Sequence, residues 1–285
     1  MGAQLEVRQP PASSCGACVA CPTTAANLQK HGLKIGNADY VVALAGHPNT
    51  GKSTIFNALT GLRQHVGNWP GKTVARAEGS FNYGDKRYKV VDLPGTYALL
   101  STSVDEEIAR DFVLFGRPDV TVIVADATRL ERNLSLVMQV LEITGQAVVA
   151  LNLVDEARRK GLTINERVLA RSLGVPVIPM AARNGEGVPE LLQALDAVAQ
   201  GTYPVRPRRL KFADAQLETA VESLAAQLRA SFPDLPNARW VALRLLEEDE
   251  SIIRALRNGT LGALHQPNLL QLSLKANVER QMSKA

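Results

Sequence analysis

Residues 40–45 form an unbroken apolar run, YVVALA, which opens onto the glycine-rich segment GHPNTGKST at 46–54. A short apolar run bounded by a turn signal predicts a strand buried on both faces. Ile55, Phe56, Leu59 and Leu62 then recur at helical spacing and predict a helix. The next stretch, RQHVGNWPGKT, reads as a loop. Strand patterns follow at about 74–81 and 86–91, joined by a turn at 82–85. Further apolar strand patterns lie at 120–124, 147–151 and 175–179. Helical patterns at 106–114, 134–143, 164–173 and 188–199 alternate with them. This alternation predicts an α/β fold, a mostly parallel sheet with helices on both faces.

The alternation stops at Gly201. The segment TYPVRPRRL at 202–210 reads as a solvated linker, whose Arg206, Arg208 and Arg209, with Lys211, leave acidic lipid headgroups as a second reading. Helical patterns follow at 212–230, 238–247 and 251–258, with room for one more helix in 262–285. The chain therefore divides into a flexible tail at 1–36, an α/β domain at 37–201 and a small all-helical domain at 202–285.

Composition narrows the class. Of 285 residues 46% are hydrophobic, enough for a sizeable core, but only 5% are aromatic, so Val, Leu, Ile and Ala must fill it. The longest apolar run is the six residues 40–45, and a spanning helix needs roughly 20. The N-terminus lacks the apolar stretch of a secretory signal. Three cysteines are too few for a disulfide framework, so the chain reads as cytosolic. The net charge of +4 permits contact with anionic lipid or nucleic acid without requiring either.

GHPNTGKST fits G-x-x-x-x-G-K-[ST] through Gly46, Gly51, Lys52 and Ser53, between a strand and a helix. The chemistry explains the spacing. Glycines let backbone N–H groups of 46–54 (Gly46, His47, Pro48, Asn49, Thr50, Gly51, Lys52, Ser53, Thr54) curl round phosphates, and the helix N-terminus adds positive charge. Lys52 would reach the β- and γ-phosphates, and the Ser53 hydroxyl would ligate Mg²⁺. Forty residues on, an apolar strand ends in Asp92-Leu93-Pro94-Gly95. Asp92 suits a water-mediated Mg²⁺ contact, and the Gly95 N–H would sense the γ-phosphate. The expected fold is a P-loop GTPase domain followed by the all-α domain.

Asn152 and Asp155 follow the strand pattern at 147–151. A carboxylate there accepts two hydrogen bonds from guanine and penalises adenine, which lacks that donor pair. Leu153 stands where GTPases of this kind carry a lysine. Ala181, Ala182 and Arg183 occupy the place of a second base loop, whose backbone N–H would meet guanine O6.

Together, GHPNTGKST, VGNWPGKTV, DLPGTY, DATRLERNL, LNLVDEARRKG and ARNGEG resemble the cytoplasmic G domain of bacterial ferrous iron transport protein B over about 37–200. The helices after 205 are similar in position to that family's guanine-nucleotide-dissociation-inhibitor-like domain. The resemblance implies that Thr73, with Gly71 and Lys72 beside it, belongs to switch I and ligates Mg²⁺ in the GTP state. Asn49 would help hold K⁺, with backbone carbonyls near Gly67 and Trp69. Thr96 replaces the glutamine that orients water in Ras-like GTPases, so a slow, K⁺-stimulated GTPase is expected, with Asn49, Lys52, Thr73 and Gly95 as its catalytic residues. His47 stands where many members have Asn and is expected to be harmless. The implied partners are GTP/GDP and a transmembrane Fe²⁺ permease portion absent from this chain, at the cytoplasmic face of the inner membrane. A homo-oligomer is compatible with this. The second reading is an RNA- or ribosome-associated K⁺-dependent GTPase, against which stands the lack of a dense basic stripe with interleaved aromatics.

Cys15, Cys18 and Cys21 stay outside the GTPase reading. They read as exposed thiols in a flexible tail, or as metal or redox sensors with His31 as a fourth ligand.

Overall fold

In the computed structural model, residues 28–29, 31–62, 64–99, 103–209, 212–233, 235 and 237–257 are described. The three cysteines and the expected helix after 262 lie outside them. A seven-stranded sheet has the order β2-β3-β4-β1-β5-β6-β7. The strands are β1 Tyr40–Gly46, β2 Gln64–Asn68, β3 Ala75–Tyr83, β4 Lys86–Asp92, β5 Val120–Asp126, β6 Ala147–Asn152 and β7 Val177–Pro179. β1 pairs in parallel with β4 and β5, and β5–β6 and β6–β7 are also parallel. Only the β2–β3–β4 edge is antiparallel.

The central strands bury both faces because their alternate residues feed two cores. Val41, Ala43, Ile123 and Val149 face one side, against Phe112, Leu136 and Val140. Val42, Leu44, Val122 and Val148 face the other, against Ile55, Phe56, Leu191 and Leu195. Each fully buried Leu or Ile contributes about 1.5–3 kcal/mol. The helices over the sheet are α1 Lys52–Thr60, α2 Val104–Asp111, α3 Leu130–Ile143, α4 Val154–Arg159, α5 Glu166–Leu173 and α6 Val188–Ala199. A π-helical turn, Phe112–Gly116, continues α2 directly and ends at Arg117, whose φ is 49°. The sequence pattern had suggested one helix over 106–114.

Helices α7 Ala215–Ser231, α8 Ala238–Leu246 and α9 Glu250–Arg257 form the helical domain, with no strand among its described residues. It packs on the same core through Val221, Leu224, Trp240 and Val241. Asn237 donates to Glu142 O and Ile143 O at 2.6 and 2.9 Å. Arg110 of α2, 2% exposed, donates to Ser251 Oγ at 2.7 Å and lies 4.0 Å from Asp249. The expected linker is pinned along its backbone. Arg206 N–H donates to Gly174 O and Arg208 N–H to Leu173 O, while the Arg206, Arg208 and Arg209 side chains stay exposed. No helix among the described residues is long and apolar enough to cross a membrane.

Two expectations need correction. The loop at 63–73 contains β2, whose Val66 and Gly67 pair with Ala77 and Arg76. His65 and Val66 point to opposite faces of β2 and both are exposed, so no buried face imposes an apolar alternation and the sequence is silent. The tail does not extend to residue 36. Leu28 and Leu33 are fully buried in the core, the His31 ring meets Phe112 edge-on at 5.8 Å, and Arg76 donates to His31 O and Gly32 O.

Candidate functional site

β1 ends at Gly46, where a Cβ would fall 2.7 Å from Val124 O, so the loop leaves the sheet tight against β5. The chain then takes left-handed conformations at Asn49 (φ 65°) and Gly51 (φ 85°). Asparagine tolerates that region. Gly51 is obligatory for a second reason: a Cβ there would lie 2.2 Å from Asn152 Nδ2. Thr50 donates its hydroxyl to His47 O at 2.9 Å, closing the turn. α1 begins at Lys52, so its unpaired N–H groups and positive end face the same space. A cavity of about 550 Å³ results, lined by residues 47–49, 51–54 and Gly95.

The DLPG segment lies along β1. Leu93 N–H donates to Leu44 O at 3.0 Å and Thr96 N–H to Gly46 O at 3.3 Å. Gly95 is pressed against Pro48, which a Cβ would meet at 3.3 Å. The Lys52 ammonium is bonded to the Asp92 carboxylate and, at 2.6 Å, to Leu93 O. Burial pushes the Asp92 carboxyl up, against the pull of Lys52. Asp92 and Ser53 offer only oxygen donors, the set Mg²⁺ prefers. The Asp92 carboxylate already faces one cation, Lys52, so the residues present fit a site where Ser53 and Asp92 would hold Mg²⁺. Thr96 is buried, and its hydroxyl bonds to Ala98 O.

His47 does more than the sequence suggested. It is 4% exposed, and its ring meets Tyr97 of the following segment edge-on at 5.1 Å. Arg132 of α3 lies over the Tyr97 ring at 4.7 Å. Burial, then Arg132, hold the imidazole below its ordinary pKa, against a backbone hydrogen bond to Tyr97.

Asn152 ends β6 and clamps two loops. Its Nδ2 donates to Thr50 O at 2.9 Å, and its Oδ1 accepts from Ala182 N–H at 3.1 Å. Leu153 (φ 63°) starts α4, a helix the sequence reading missed, although Asp155–Glu156 before Arg158–Arg159 suit its dipole. Asp155 sits in the first turn, 3.7 Å from Arg159. Two backbone N–H groups of the 181–183 loop are engaged within the fold. Ala181 N–H is taken by Glu186 O at 3.1 Å and Ala182 N–H by Asn152 Oδ1. A groove of about 480 Å³ runs from the P-loop past Asn152, Leu153 and Arg183 to Arg129, Arg132 and Asn133. Those last three come from DATRLERNL, the motif with no assigned role.

The segment expected to form switch I lies apart. Among the described residues lining the phosphate cavity, none comes from 67–73. Gly67 pairs with Arg76 in the β2–β3 ladder. Trp69 is 3% exposed, edge-on to Phe112 at 5.4 Å, with Arg76 5.4 Å from its ring. Gly71 is left-handed (φ 67°). Lys72 pairs with Glu107 of α2 at 2.9 Å, not with the P-loop, and Thr73 is exposed. No cluster of three His, Cys, Asp or Glu able to hold a metal occurs among the described residues.

Two family models match the chain: ferrous iron transport protein B over residues 40–195 and the FeoB cytosolic helical domain over 214–283. The Fe(2+) transporter FeoB of Escherichia coli K12 is 42% identical over 212 residues, 73% of this chain and 27% of that protein. A Porphyromonas gingivalis Fe(2+) transport protein A/FeoB fusion is 40% identical over 217 residues, 75% of this chain and 26% of that protein. The chain thus spans about a quarter of these relatives. The apo cytosolic domain of T. maritima FeoB superposes with a TM-score of 0.70 at 34% identity, covering 85% of this chain and 93% of that one. An S. thermophilus NFeoB mutant bound to mGDP gives 0.72 at 31% identity, covering 86% and 90%. A T. maritima GMPPNP form gives 0.68 at 34%, covering 85% and 93%. From fold, site and matches alike, the chain belongs to the ferrous iron transport protein B family and comprises its G domain and cytosolic helical domain.

Proposed function

We infer that this chain binds GTP and hydrolyses it slowly, and that it serves as the cytosolic switch of an Fe²⁺ transporter in the bacterial inner membrane. One observation carries the nucleotide reading. The Asn152 amide locks the P-loop to the base loop, so phosphate and base subsites form one rigid unit. Related structures were obtained with mGDP and GMPPNP, which supports the same reading.

The residues divide the work. P-loop N–H groups and Lys52 hold the phosphates, and Asp155 selects guanine by a paired hydrogen bond. Ser53, Asp92 and Thr73 are the Mg²⁺ ligands in this reading, and the metal would stabilise charge developing on the phosphates. Asn49, with backbone carbonyls near Gly67 and Trp69, would hold K⁺, which would neutralise charge between the phosphates. With the Thr96 hydroxyl engaged by Ala98 O, the switch I backbone holds the water in this reading. Since 67–73 lie apart from the cavity, GTP must draw switch I inward before hydrolysis. Slow turnover follows from that requirement. The helical domain reads the switch through Arg110, which joins α2 to Ser251, and passes the state to the membrane portion.

The test is nucleotide titration followed by phosphate release in K⁺ and in Na⁺. GDP should bind at least about 100-fold more tightly than ADP, and Asp155→Ala should erase the difference. Asn49→Ala should lose K⁺ stimulation while keeping GDP affinity. Equal affinity for the two nucleotides would overturn the guanine reading. Full K⁺ stimulation in the Asn49 variant would overturn the potassium site.

A further inference from the structure

A second cavity, of about 520 Å³, lies on the β2–β3–β4 edge and shares no residue with the phosphate cavity. Strand register builds its floor. His65 stands opposite Glu78, Ser80 opposite Lys89 and Asn82 opposite Arg87. Paired residues share a face, and Arg76, Glu78, Ser80 and Asn82 alternate onto one face of β3. His65, Arg76, Glu78, Arg87 and Lys89 therefore converge on one side of the sheet. The segment 32–38 forms the facing wall and adds Lys34.

The charges do not balance. Four permanent cations, Lys34, Arg76, Arg87 and Lys89, line the cavity against one carboxylate, Glu78. Glu78 is already engaged by Arg76 at 2.7 Å and Lys89 at 2.6 Å. Arg76 and Lys89 also bind the wall, through His31 O, Gly32 O and Lys34 O. The nearby Asp39 carboxylate accepts Arg87 N–H at 2.8 Å and does not line the cavity. Among the described residues, the Lys34 and Arg87 heads and the exposed His65 ring have no ion-pair partner. The cavity is thus rich in donors and poor in acceptors, with its deep charges fixed and its rim charges unspent. Such a site takes a compact anion with several oxygens.

We propose that this cavity is a binding site for a phosphate-bearing ligand, distinct from the guanine-nucleotide site. Lys34 and Arg87 grip the phosphate oxygens from opposite walls, and His65 supplies a third donor from β2. The ligand has two chemical sources, a soluble phosphorylated metabolite or the headgroup of an anionic lipid. Either one cross-links the 32–38 wall to the hairpin that ends in switch I. Occupancy therefore favours the arrangement in which 67–73 stay clear of the phosphate cavity.

The test uses the 285-residue chain, with inorganic pyrophosphate as the soluble probe. The P-loop also attracts pyrophosphate, so calorimetry is run on wild type, Lys52→Ala and the double variant Lys34→Glu/Arg87→Glu. Both reversed side chains are exposed, and thermal melting confirms folding. The expected result is a binding event that persists in Lys52→Ala and weakens about tenfold or more in the double variant, with GDP affinity unchanged. A parallel arm measures cosedimentation with phosphatidylcholine vesicles with and without phosphatidylglycerol. Binding only to phosphatidylglycerol vesicles, lost in the double variant, supports the site and assigns it to a lipid headgroup. If neither probe's binding depends on Lys34 and Arg87, the proposal is overturned, whatever the outcome at the nucleotide site.

Discussion

The P-loop with its base loop and the switch I hairpin sit on the same sheet, yet they are built by opposite means. In the first, the turns are fixed by close backbone packing and by one buried amide clamp. Gly51 has no room for a Cβ, and Asn152 ties Thr50 to Ala182. In the second, position depends on distant groups. β2 is an edge strand, Trp69 leans on Phe112 and Arg76, and Arg76 is anchored on the 31–32 backbone. The first region is a preformed receptor. The second is held in place by contacts that can be exchanged, as expected of an element that moves during a catalytic cycle.

The sharpest way to break this comparison is Gly51→Ala. Positive φ and the close Asn152 amide together should cost about 3 kcal/mol, a loss of roughly two orders of magnitude in GDP affinity by titration. A loss under about threefold would mean the receptor is not preformed. Leu33→Ala tests the other region. Removing a fully buried leucine should lower global stability by about 2–4 kcal/mol in denaturant unfolding while GDP affinity stays within about twofold. Thr73→Ala separates the regions by function. It should leave GDP affinity intact and slow GTP hydrolysis about tenfold or more. An equal loss in both would show that switch I already belongs to the receptor.

The smallest effect concerns the attachment of the helical domain. Asp249 accepts from Ser251 and Arg244, and these bonds, outweighing its burial, hold its carboxyl below the ordinary 3.8. A carboxyl depressed in the folded state contributes stability that is present above 3.8 and lost as pH falls through the lower folded value. Acid unfolding should therefore lose this contribution below about pH 4, and Asp249→Asn should flatten that part of the profile. An unchanged profile would detach the pair from the stability of this junction.

Legibility in the sequence followed the same division. GHPNTGKST, DLPG and N-x-x-D were readable because each encodes its own backbone geometry within a few residues. The central strands were readable because burial on both faces leaves continuous apolar runs. β2 was not, since QHVGN is exposed on both faces, as His65 and Val66 show, and its pairing partner lies across a turn. Nor was the 28–33 segment, where two leucines among polar residues show no period, although both are buried. His47 looked incidental because its partner, Tyr97, is fifty residues away. The hydrogen bonds that hold Ala181 and Ala182 N–H within the fold were not legible, because Asn152 lies some thirty residues upstream of them.

The π-helical turn at Phe112–Gly116 makes the chain's length at that point a constraint of its own. An α-helix rotates about 100° per residue. Deleting one residue from the turn would restore α-helical pitch and swing all of α2 by that angle. Arg110 would leave Ser251, and Ile108 and Ala109 would leave the core. Insertions and deletions in this family should therefore gather in surface connections such as the turn at 82–85. They should spare 104–116, where one residue more or less would uncouple the switch from its reader.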